Sequence, residues 1–332
     1  MALTMPPEWE KHQRTFIAFP HTGYTLGNTQ AEQNAARQAW ASVANAASEY
    51  EKVTAIVHPD DERLAAKFLS SEIEVMIEKI DDAWIRDSGP TFVKDQAGKL
   101  AAIDWIFNGW GAQDWAEYSH DEMIASKIAA RYGVELIKSD LVNEGGGIHI
   151  NGKGQVLLTE TVQLDPGRNP DWSKEQVEQE LSRTLGVTDF VWLKSGLTRD
   201  YDEFGTRGHV DIVACYAPDD RVIYHDQKNP NHPDHLVSAE VRDQFFRRGQ
   251  ELVSLPAPET LKDSVGYVDY SYVNHYVLNN AVLLGSFDDS NDKEARSILR
   301  DCYPGREVVL LDARELFARG GGIHCITQQQ PA

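Results

Sequence analysis

The chain has 332 residues, of which 41% are hydrophobic and 25% are charged, and its formal net charge is −20. These values are typical of a soluble globular protein, long enough for one large core or two ordinary domains. The negative charge argues against nucleic acid and anionic membranes as partners and is compatible with a cationic substrate. Acidity that only maintains solubility explains the charge equally well, so the charge alone does not select a function.

The chain shows neither an apolar run of the roughly 18 residues that a membrane span needs nor the basic and apolar start of a signal peptide. Its three cysteines, Cys215, Cys302 and Cys325, cannot all pair with one another. An odd number of cysteines favours a reducing compartment over a disulfide framework. We therefore expect a cytoplasmic protein in which Cys215 and Cys302 have structural roles.

The predicted elements alternate between strands, hairpins and helices along the whole chain. Apolar runs and alternating patterns predict strands at 15–19, 52–57, 73–80, 91–93, 100–107, 135–137, 148–150, 155–159, 189–193, 208–216, 221–225, 272–278, 281–285 and 308–311. Helices are predicted at 30–50, 60–70, 120–132, 174–185, 237–251 and 292–303. Because no linker or change of composition divides the chain, we predict one α/β domain, residues 1–332, built from repeated small modules.

One pentapeptide, Gly-Gly-Gly-Ile-His, occurs twice, at residues 145–149 and 320–324. Such a recurrence suggests two copies of one structural module, and consecutive glycines allow another group to approach the backbone closely. Cys325 directly follows the second copy, whereas Glu144 directly precedes the first. The two copies thus indicate a thiol and a carboxylate at related positions, although a plain loop and a small buried cysteine are the simpler alternative.

Two further stretches are rich in ionisable groups. Residues 81–90 carry four charges and Trp84 before a Gly-Pro breaker, which is more than a turn requires. His209 and Asp211 stand two residues apart in a predicted strand, so we expect them to project to the same side. A solvated turn and a structural His–Asp pair are the alternatives. A zinc site would need a compact set of ligands, and these residues do not form such a motif.

The combination of Asp87, Glu144, His209, Asp211 and Cys325 suits a planar cation. Carboxylates match the forked N–H donors of a guanidinium, often two at a time. They would hold the cation and localise its charge on the carbon under attack, while the bound cation would stabilise the attacking thiolate. The imidazole would protonate the departing ammonia and then take a proton from water. Acyl transfer would instead require donors for an oxyanion, for which acids are a poor choice.

Four stretches of the chain resemble motifs of the agmatine deiminase / bacterial-type peptidyl-arginine deiminase family. They lie at residues 84–90, 143–146, 205–211 and 321–331, and the opening at 5–10 is similar as well. The resemblance covers nearly the whole chain in order. It implies the pentein fold, a five-bladed α/β propeller of ββαβ-type modules around a pseudo-fivefold axis with the active site at its centre.

The family resemblance also implies roles for the site residues. Cys325 would be the nucleophile that forms a covalent thiouronium intermediate, and His209 would be the general acid and base. Asp87 and Asp211 would clamp the guanidinium, and Glu144 would bind one of its nitrogens or orient His209. The resemblance implies neither a metal nor an organic cofactor.

The expected reaction is hydrolytic deimination of a small cationic guanidino compound, agmatine in the first instance, giving N-carbamoylputrescine and ammonia. Ile212 and Gly322 depart from the family pattern near the expected pocket, so the exact substrate stays open. Alternatives are a deiminase or amidinotransferase acting on another guanidino compound or on peptidyl-arginine, and a pentein that only binds a partner. Trp84 is expected to line the substrate pocket. His324 is expected to point away from Cys325 if the segment is extended, so no catalytic role is assigned to it. A homo-oligomer is left open.

Overall fold

The computed structural model describes residues 2–259, 262 and 266–332. The strands are β1 (Leu3–Thr4), β2 (His12–Ala18), β3 (Val53–Val57), β4 (Glu74–Ile77), β5 (Thr91–Asp95), β6 (Leu100–Ile106), β7 (Glu135–Val142), β8 (Ile148–Ile150), β9 (Gln155–Thr159), β10 (Asp189–Leu193), β11 (Ala214–Tyr216), β12 (Val222–Asp226), β13 (Leu252–Pro256), β14 (Tyr276–Val277), β15 (Ala281–Ser286), β16 (Glu307–Asp312) and β17 (Gln328–Pro331). The helices are α1 (Gly23–Leu26), α2 (Gln30–Ser48), α3 (Glu62–Ala65), α4 (Ile85–Ser88), α5 (Gly109–Ala112), α6 (Ile124–Tyr132), α7 (Glu160–Gln163), α8 (Lys174–Leu185), α9 (Asp234–Arg248), α10 (Asp292–Cys302) and α11 (Arg314–Phe317).

The strands of the described residues form five sheets, and one topology recurs in all of them. In four of them an antiparallel hairpin is followed by a crossover helix and a third, parallel strand, and in the fifth the antiparallel pair is formed by β17 and β2 instead of a hairpin. The units are β5–β6–α6–β7, β8–β9–α8–β10, β11–β12–α9–β13, β14–β15–α10–β16 and β17–β2–α2–β3. The short β1 extends the first unit and β4 the last. This recurrence confirms the predicted modular α/β architecture.

The last sheet joins the two ends of the chain. Strand β17 pairs antiparallel with β2, with Gln328 opposite Phe16, and β2 in turn pairs parallel with β3. The turn that carries Cys325 therefore leads straight into a strand held by the N-terminal part of the chain. Strand β17 was not predicted, because the sequence Gln-Gln-Gln-Pro lacks the apolar pattern on which strand prediction depends.

Helix α8 illustrates how local sequence sets the crossover helices. Ser173 caps the start of the helix, and Gln176 reaches back to the backbone of Ser173, which completes a capping box. Gly186 ends the helix in the left-handed conformation, with φ of 73°. Val177 and Leu181 are fully buried one helical turn apart and belong to a hydrophobic cluster that also contains Leu141 and Ile148. These signals explain why the predicted bounds of this helix, 174–185, are confirmed.

The prediction of a strand over 208–216 is wrong in its first half. Val210–Ile212 is a single 3₁₀ turn, and β11 begins only at Ala214. The Asp200 carboxylate accepts hydrogen bonds from the backbone N–H groups of Gly208, at 2.7 Å, and His209, at 3.0 Å. These side-chain bonds replace a strand ladder and curl the backbone. His209 and Asp211 therefore do not share the face of a strand.

The two cysteines expected to be structural are buried. Cys215 lies in β11 and Cys302 at the end of α10, both without a disulfide partner. Both belong to the larger hydrophobic cluster of the protein, as expected for small apolar side chains. Within the described ranges, the helices all lack either the length or the apolar character for crossing a bilayer.

Candidate active site

The predicted site residues lie in loops just before the first strand of a module's hairpin. Asp87 precedes β5, Glu144 precedes β8, Asp211 precedes β11 and Cys325 precedes β17. Because the modules share one topology, equivalent ends of their hairpins carry equivalent loops. The structure brings these four loops together, although more than 230 positions along the chain separate Asp87 from Cys325.

Three short contacts connect the predicted side chains. The Cys325 Sγ lies 3.4 Å from Asp211 Oδ2, and His209 Nε2 lies 3.3 Å from Glu144 Oε2. The other ring nitrogen, His209 Nδ1, lies 3.9 Å from Asp87 Oδ1. All five side chains are buried. Asp87 and Cys325 also line the same pocket, so the thiol, the imidazole and the three carboxylates form one cluster, which suits a bound planar cation.

Two buried polar atoms of this cluster have no hydrogen-bond partner within the described protein: Asp211 Oδ1 and His209 Nδ1. A buried polar atom left unpaired costs free energy unless a ligand satisfies it. The carboxylate oxygen is an acceptor, so it fits an N–H donor of a cationic ligand. The unpaired oxygen of Asp211 belongs to the same carboxylate that contacts the thiol, so the donor would lie beside the sulfur.

Glycine is required where two loops come closest. A Cβ at Gly146 would stand 2.5 Å from His209 Nδ1 and 3.0 Å from Asp87 Oδ1. A Cβ at Gly321 would stand 2.7 Å from the Trp84 ring and 3.1 Å from Cys325 Sγ. The two glycine runs therefore serve close approach to the site. Their backbones differ, however: the first copy of the pentapeptide enters β8, whereas the second ends in a turn at 323–326.

Aromatic side chains form the walls of the pocket above Cys325. Trp84, Trp110, Trp115 and Phe204 line it together with Asp87 and Cys325. The Trp110 indole donates a hydrogen bond of 2.8 Å to Asp87 Oδ2, and its backbone is left-handed, with φ of 56°. A bulky residue in this region is strained, and such strain clusters at functional sites.

The inner pocket is narrow and opens towards a larger space. Its volume of about 10 Å³ holds about one water molecule. An outer cavity of about 470 Å³ shares Phe204 and Gly320 with it and is lined by Asp202, Glu203 and Asp269 among others. Phe204 therefore stands between the two spaces, and a guanidinium can enter only if these walls part.

Arg168 neutralises the innermost carboxylate. Its Nε lies 3.0 Å from Glu144 Oε1 and its Nη1 lies 2.7 Å from Asp165 Oδ2, with Arg168 and Glu144 side chains fully buried. Burial by itself raises the pKa of Glu144, but Arg168 and His209 outweigh burial and lower that pKa to about 2. Glu144 therefore stays ionised beside His209. The sequence analysis missed Arg168 because it stands in an ordinary Pro-Gly-Arg loop.

Replacing Arg168 with methionine is expected to destabilise the protein by about 3–5 kcal/mol, because breaking a buried pair leaves its partner charged and unpaired. The free energy of unfolding, measured by urea titration at neutral pH, tests this. Arg183→Met is the matched control: it breaks an exposed pair with Glu180, which is worth about 1 kcal/mol or less. Equal losses for the two variants would contradict the role of Arg168.

The charged cluster sets unusual protonation states. Burial lowers the pKa of His209, but Asp87, Glu144 and Asp211 outweigh burial and raise this pKa to about 9. Burial raises the pKa of Asp87 to about 6, since the attraction of His209 is partly offset by Glu144. At neutral pH the site therefore holds an imidazolium that can donate a proton.

Burial and neighbouring charges keep the thiol of Cys325 protonated at neutral pH. Burial raises its pKa well above the ordinary value, and the charges of Asp211 and Asp87 raise it further. The same two carboxylates would attract a bound cation, whose charge would cancel theirs and stabilise a thiolate. The arrangement therefore favours a nucleophile that is activated only when a cation occupies the pocket.

Asn274 is a site residue that the sequence analysis missed. Its Nδ2 lies 3.2 Å from Cys325 Sγ, and its Oδ1 accepts a hydrogen bond of 2.9 Å from the His324 backbone N–H. It directly precedes His275 and β14, so it occupies in the remaining module the position that the acids and the cysteine occupy in the others. The sequence analysis predicted a strand over 272–278 and so placed Asn274 inside the hairpin, whereas β14 begins only at Tyr276.

The expectation that His324 points away from Cys325 in an extended segment is wrong. Residues 323–326 form a turn, and the imidazole of His324 lies between two carboxylates. Its Nδ1 is 2.8 Å from Asp211 Oδ2 and its Nε2 is 2.8 Å from Glu8 Oε1. The turn carries both side chains into the site, because alternation between opposite faces holds only for extended backbone.

A sequence profile of the Porphyromonas-type peptidyl-arginine deiminase family matches residues 4–331. The chain therefore belongs to the agmatine deiminase / peptidyl-arginine deiminase family, as the resemblance of its motifs predicted. An agmatine deiminase from Pseudomonas aeruginosa is 36% identical over 361 residues, covering 99% of this chain and 95% of that protein. A Streptomyces coelicolor protein, provisionally named an agmatine deiminase, is 51% identical over 339 residues, covering 100% and 99%.

Solved structures of the family share the fold. The agmatine deiminase of Enterococcus faecalis superposes with a TM-score of 0.91 at 29% identity, covering 99% of this chain and 96% of that one. An arginine deiminase homologue from Porphyromonas gingivalis superposes with a TM-score of 0.88 at 26% identity, covering 99% and 98%. These likenesses confirm the predicted α/β pentein fold.

Proposed function

We propose that the protein is a hydrolytic guanidine deiminase whose substrate is agmatine. The observation that carries this proposal is the meeting of Asp87, Glu144, His209 and Asp211 around the sulfur of Cys325. Three carboxylates, an imidazolium and a thiol match a guanidinium and leave its central carbon open to attack. We further propose that residues 1–332 form a single catalytic domain in which the five sheets are arranged as the blades of a propeller around this site.

In the first half of the proposed reaction, Asp87 and Asp211 bind the guanidinium, and the thiol of Cys325 releases its proton to solvent. The thiolate then attacks the central carbon, forming a carbon–sulfur bond. His209 donates its proton to the departing nitrogen, the carbon–nitrogen bond breaks and ammonia leaves. The enzyme then carries a cationic thiouronium, and His209 is neutral. Glu144, held by Arg168, keeps the imidazole oriented throughout.

In the second half, water attacks the same carbon. One proton of the water goes to the neutral His209 and the other returns to the sulfur as the carbon–sulfur bond breaks. The product is a neutral ureido compound, N-carbamoylputrescine when the substrate is agmatine. The proton released earlier converts ammonia to ammonium, so the overall reaction consumes one water and one guanidinium. His209 returns to its protonated state for the next cycle.

The outer cavity supports agmatine over arginine. Three acids, Asp202, Glu203 and Asp269, and one cation, Arg199, line it, and Arg199 forms an ion pair with Asp202 at 3.6 Å, so the acids remain in excess. Burial, with a contribution from Asp200, raises the pKa of Asp269 to about 7, so a cation placed there would favour its ionised form. Agmatine offers an ammonium at its far end, whereas arginine adds a carboxylate that these acids would repel.

A panel of guanidino compounds tests the proposal by release of ammonia. We expect kcat/KM for agmatine to exceed that for arginine, a peptidyl-arginine and butylguanidine by about 100-fold or more, as a buried charge contact allows. Ammonia released from agmatine alone excludes transfer of the amidino group to an amine acceptor. Turnover of a peptidyl-arginine as fast as agmatine, or release of ammonia only with an added amine, would overturn the proposed substrate or reaction.

A substitution at Asp269 tests whether the outer cavity binds the ammonium at the far end of agmatine. Asp269→Asn is expected to lower kcat/KM about 10-fold for agmatine, the scale of one charge-assisted hydrogen bond, and to leave butylguanidine unchanged because it lacks the ammonium. Asp288→Asn, which changes an exposed acid that does not line the outer cavity, is the control. If agmatine and butylguanidine were affected alike by Asp269→Asn, the outer cavity would not bind the ammonium.

A further inference from the structure

A buried chain of charges runs from the N-terminal segment to the sulfur. Glu8 Oε1 lies 2.8 Å from His324 Nε2, His324 Nδ1 lies 2.8 Å from Asp211 Oδ2, and that oxygen lies 3.4 Å from Cys325 Sγ. The side chains of Glu8, His324 and Asp211 are each less than one-tenth exposed. The proposed reaction uses Asp211 and Cys325 and leaves Glu8 and His324 without a role.

The geometry fixes the protonation of His324. A neutral imidazole has one N–H donor and one acceptor nitrogen. An ionised carboxylate can accept hydrogen bonds but cannot donate them. Because both ring nitrogens of His324 face carboxylate oxygens at 2.8 Å, both contacts are favourable only if both nitrogens carry a proton. His324 is therefore a fixed imidazolium rather than a carrier that exchanges its proton during turnover.

We propose that Glu8 and His324 are positioning residues of the active site: Glu8 holds His324 as an imidazolium, and this imidazolium orients Asp211 towards the guanidinium. The bond from His324 occupies Asp211 Oδ2, so the other oxygen, which is buried and unpaired, faces the ligand. The imidazolium also supplies a countercharge for Asp211 in a pocket that holds two other carboxylates. This inference rests on the proposed guanidinium substrate for its role in binding, though not for the charge state of His324.

Other groups around His324 support its charge. Burial and Arg86 lower its pKa, but Glu8 and Asp211 outweigh them and raise the pKa above the ordinary value. Arg86 Nη1 also contacts Glu8, at 3.3 Å, and its Nε donates to the His324 carbonyl oxygen. The ionisable groups that interact with His324 from the packed segments are Glu8, Arg86, His149, Asp211 and His275.

The isosteric variant Glu8→Gln tests the role through the pH profile. Glutamine keeps an oxygen near His324 Nε2 but removes the charge, so the pKa of His324 should fall. Relative to wild type at the same pH, kcat/KM should stay within about 3-fold near pH 6 and fall about 10-fold or more near pH 9, since one pKa unit corresponds to a tenfold change. A loss that is independent of pH, or no loss, would overturn the proposal.

Two further variants separate this role from simple packing. Glu51→Gln is the matched control, because Glu51 is equally buried and contacts an imidazole, His12 Nδ1, at 3.1 Å; its pH profile should match wild type. The double variant Glu8→Gln/His324→Asn removes one charge of each sign. It should lower kcat/KM by a constant factor of about 10 or more at every pH, the scale of a lost charge-assisted bond. A double variant with wild-type kcat/KM would contradict the positioning role.

Nitrogen NMR of histidine-labelled protein gives a readout that needs no substrate. The resonance assigned to His324 by its loss in the double variant should report both nitrogens protonated in wild type at pH values above the ordinary pKa of about 6.5. It should titrate at lower pH in Glu8→Gln. Titration of His324 near its ordinary value in wild type would overturn the inference, whereas failure to turn over agmatine would overturn only the proposed function.

Discussion

Cys325→Ser is expected to lower turnover of agmatine by about 1,000-fold or more, since a serine hydroxyl is a far weaker nucleophile without an adjacent base. The nearest groups to the sulfur are a carboxylate, Asp211, and an amide, Asn274. The imidazolium of His209 cannot accept the hydroxyl proton. Binding of agmatine should persist, because the carboxylates are unchanged. Ammonia release and isothermal calorimetry measure the two effects separately.

Cys302→Ser is the matched control for this experiment, since Cys302 is also buried and unpaired but lies in α10. We expect it to lower the melting temperature slightly and to retain activity. Labelling with iodoacetamide adds a second test: Cys325 should react slowly at neutral pH, faster as the pH rises towards the raised pKa of its thiol, and agmatine should protect it. Wild-type turnover by Cys325→Ser would remove the basis of the proposed mechanism.

Asp87→Asn is expected to lower kcat/KM for agmatine by about 100- to 5,000-fold, because removing one partner of a buried charge pair costs about 3–5 kcal/mol. Asparagine keeps the size of the side chain but has a single acceptor oxygen, whereas the Trp110 indole and the Gly146 N–H now donate to different oxygens of Asp87, at 2.8 and 3.1 Å. The loss would therefore report the missing charge together with one of these two hydrogen bonds. Steady-state kinetics near pH 7.5 measures it.

The pH dependence of KM is a second test of whether the ionised Asp87 carboxylate binds the guanidinium. The Asp87 carboxylate has a pKa of about 6, so this group gains a proton as the pH falls through this value. A neutral acid binds the guanidinium weakly, so KM of the wild type should rise as the pH falls below about 6. In Asp87→Asn this rise should shrink. Asp226→Asn, which changes a buried acid paired with Arg242, should keep the wild-type profile.

Much of the fold could be predicted where local signals agree with tertiary structure. The capped, amphipathic segment 174–185 and the hairpin at residues 148–159 follow from capping, periodicity and an Asn-Gly turn. The motifs also identified the five site residues, because guanidinium chemistry demands carboxylates, an imidazole and a thiol together. Only the structure reveals that the motifs occupy the same position in their modules, just before the first strand.

The remainder depends on contacts between segments far apart in the chain. Strand β17 is polar and yet buried, since its backbone pairs with β2 and Gln328 donates to the Pro90 carbonyl oxygen; apolar periodicity cannot detect such a strand. The turn at 210–212 depends on Asp200, and the orientation of His324 depends on Glu8. No pattern within a single window contains both partners of such contacts.

The pairing of β17 with β2 has a consequence for the order of synthesis. A ribosome produces the acids and the imidazole of the site well before it produces Cys325, and the sulfur is set in place only when β17 docks on a strand made at the beginning. A chain that stops before residue 325 therefore contains the acids and the imidazole but no nucleophile. Catalytic competence in this architecture requires that translation has passed residue 325 and produced β17.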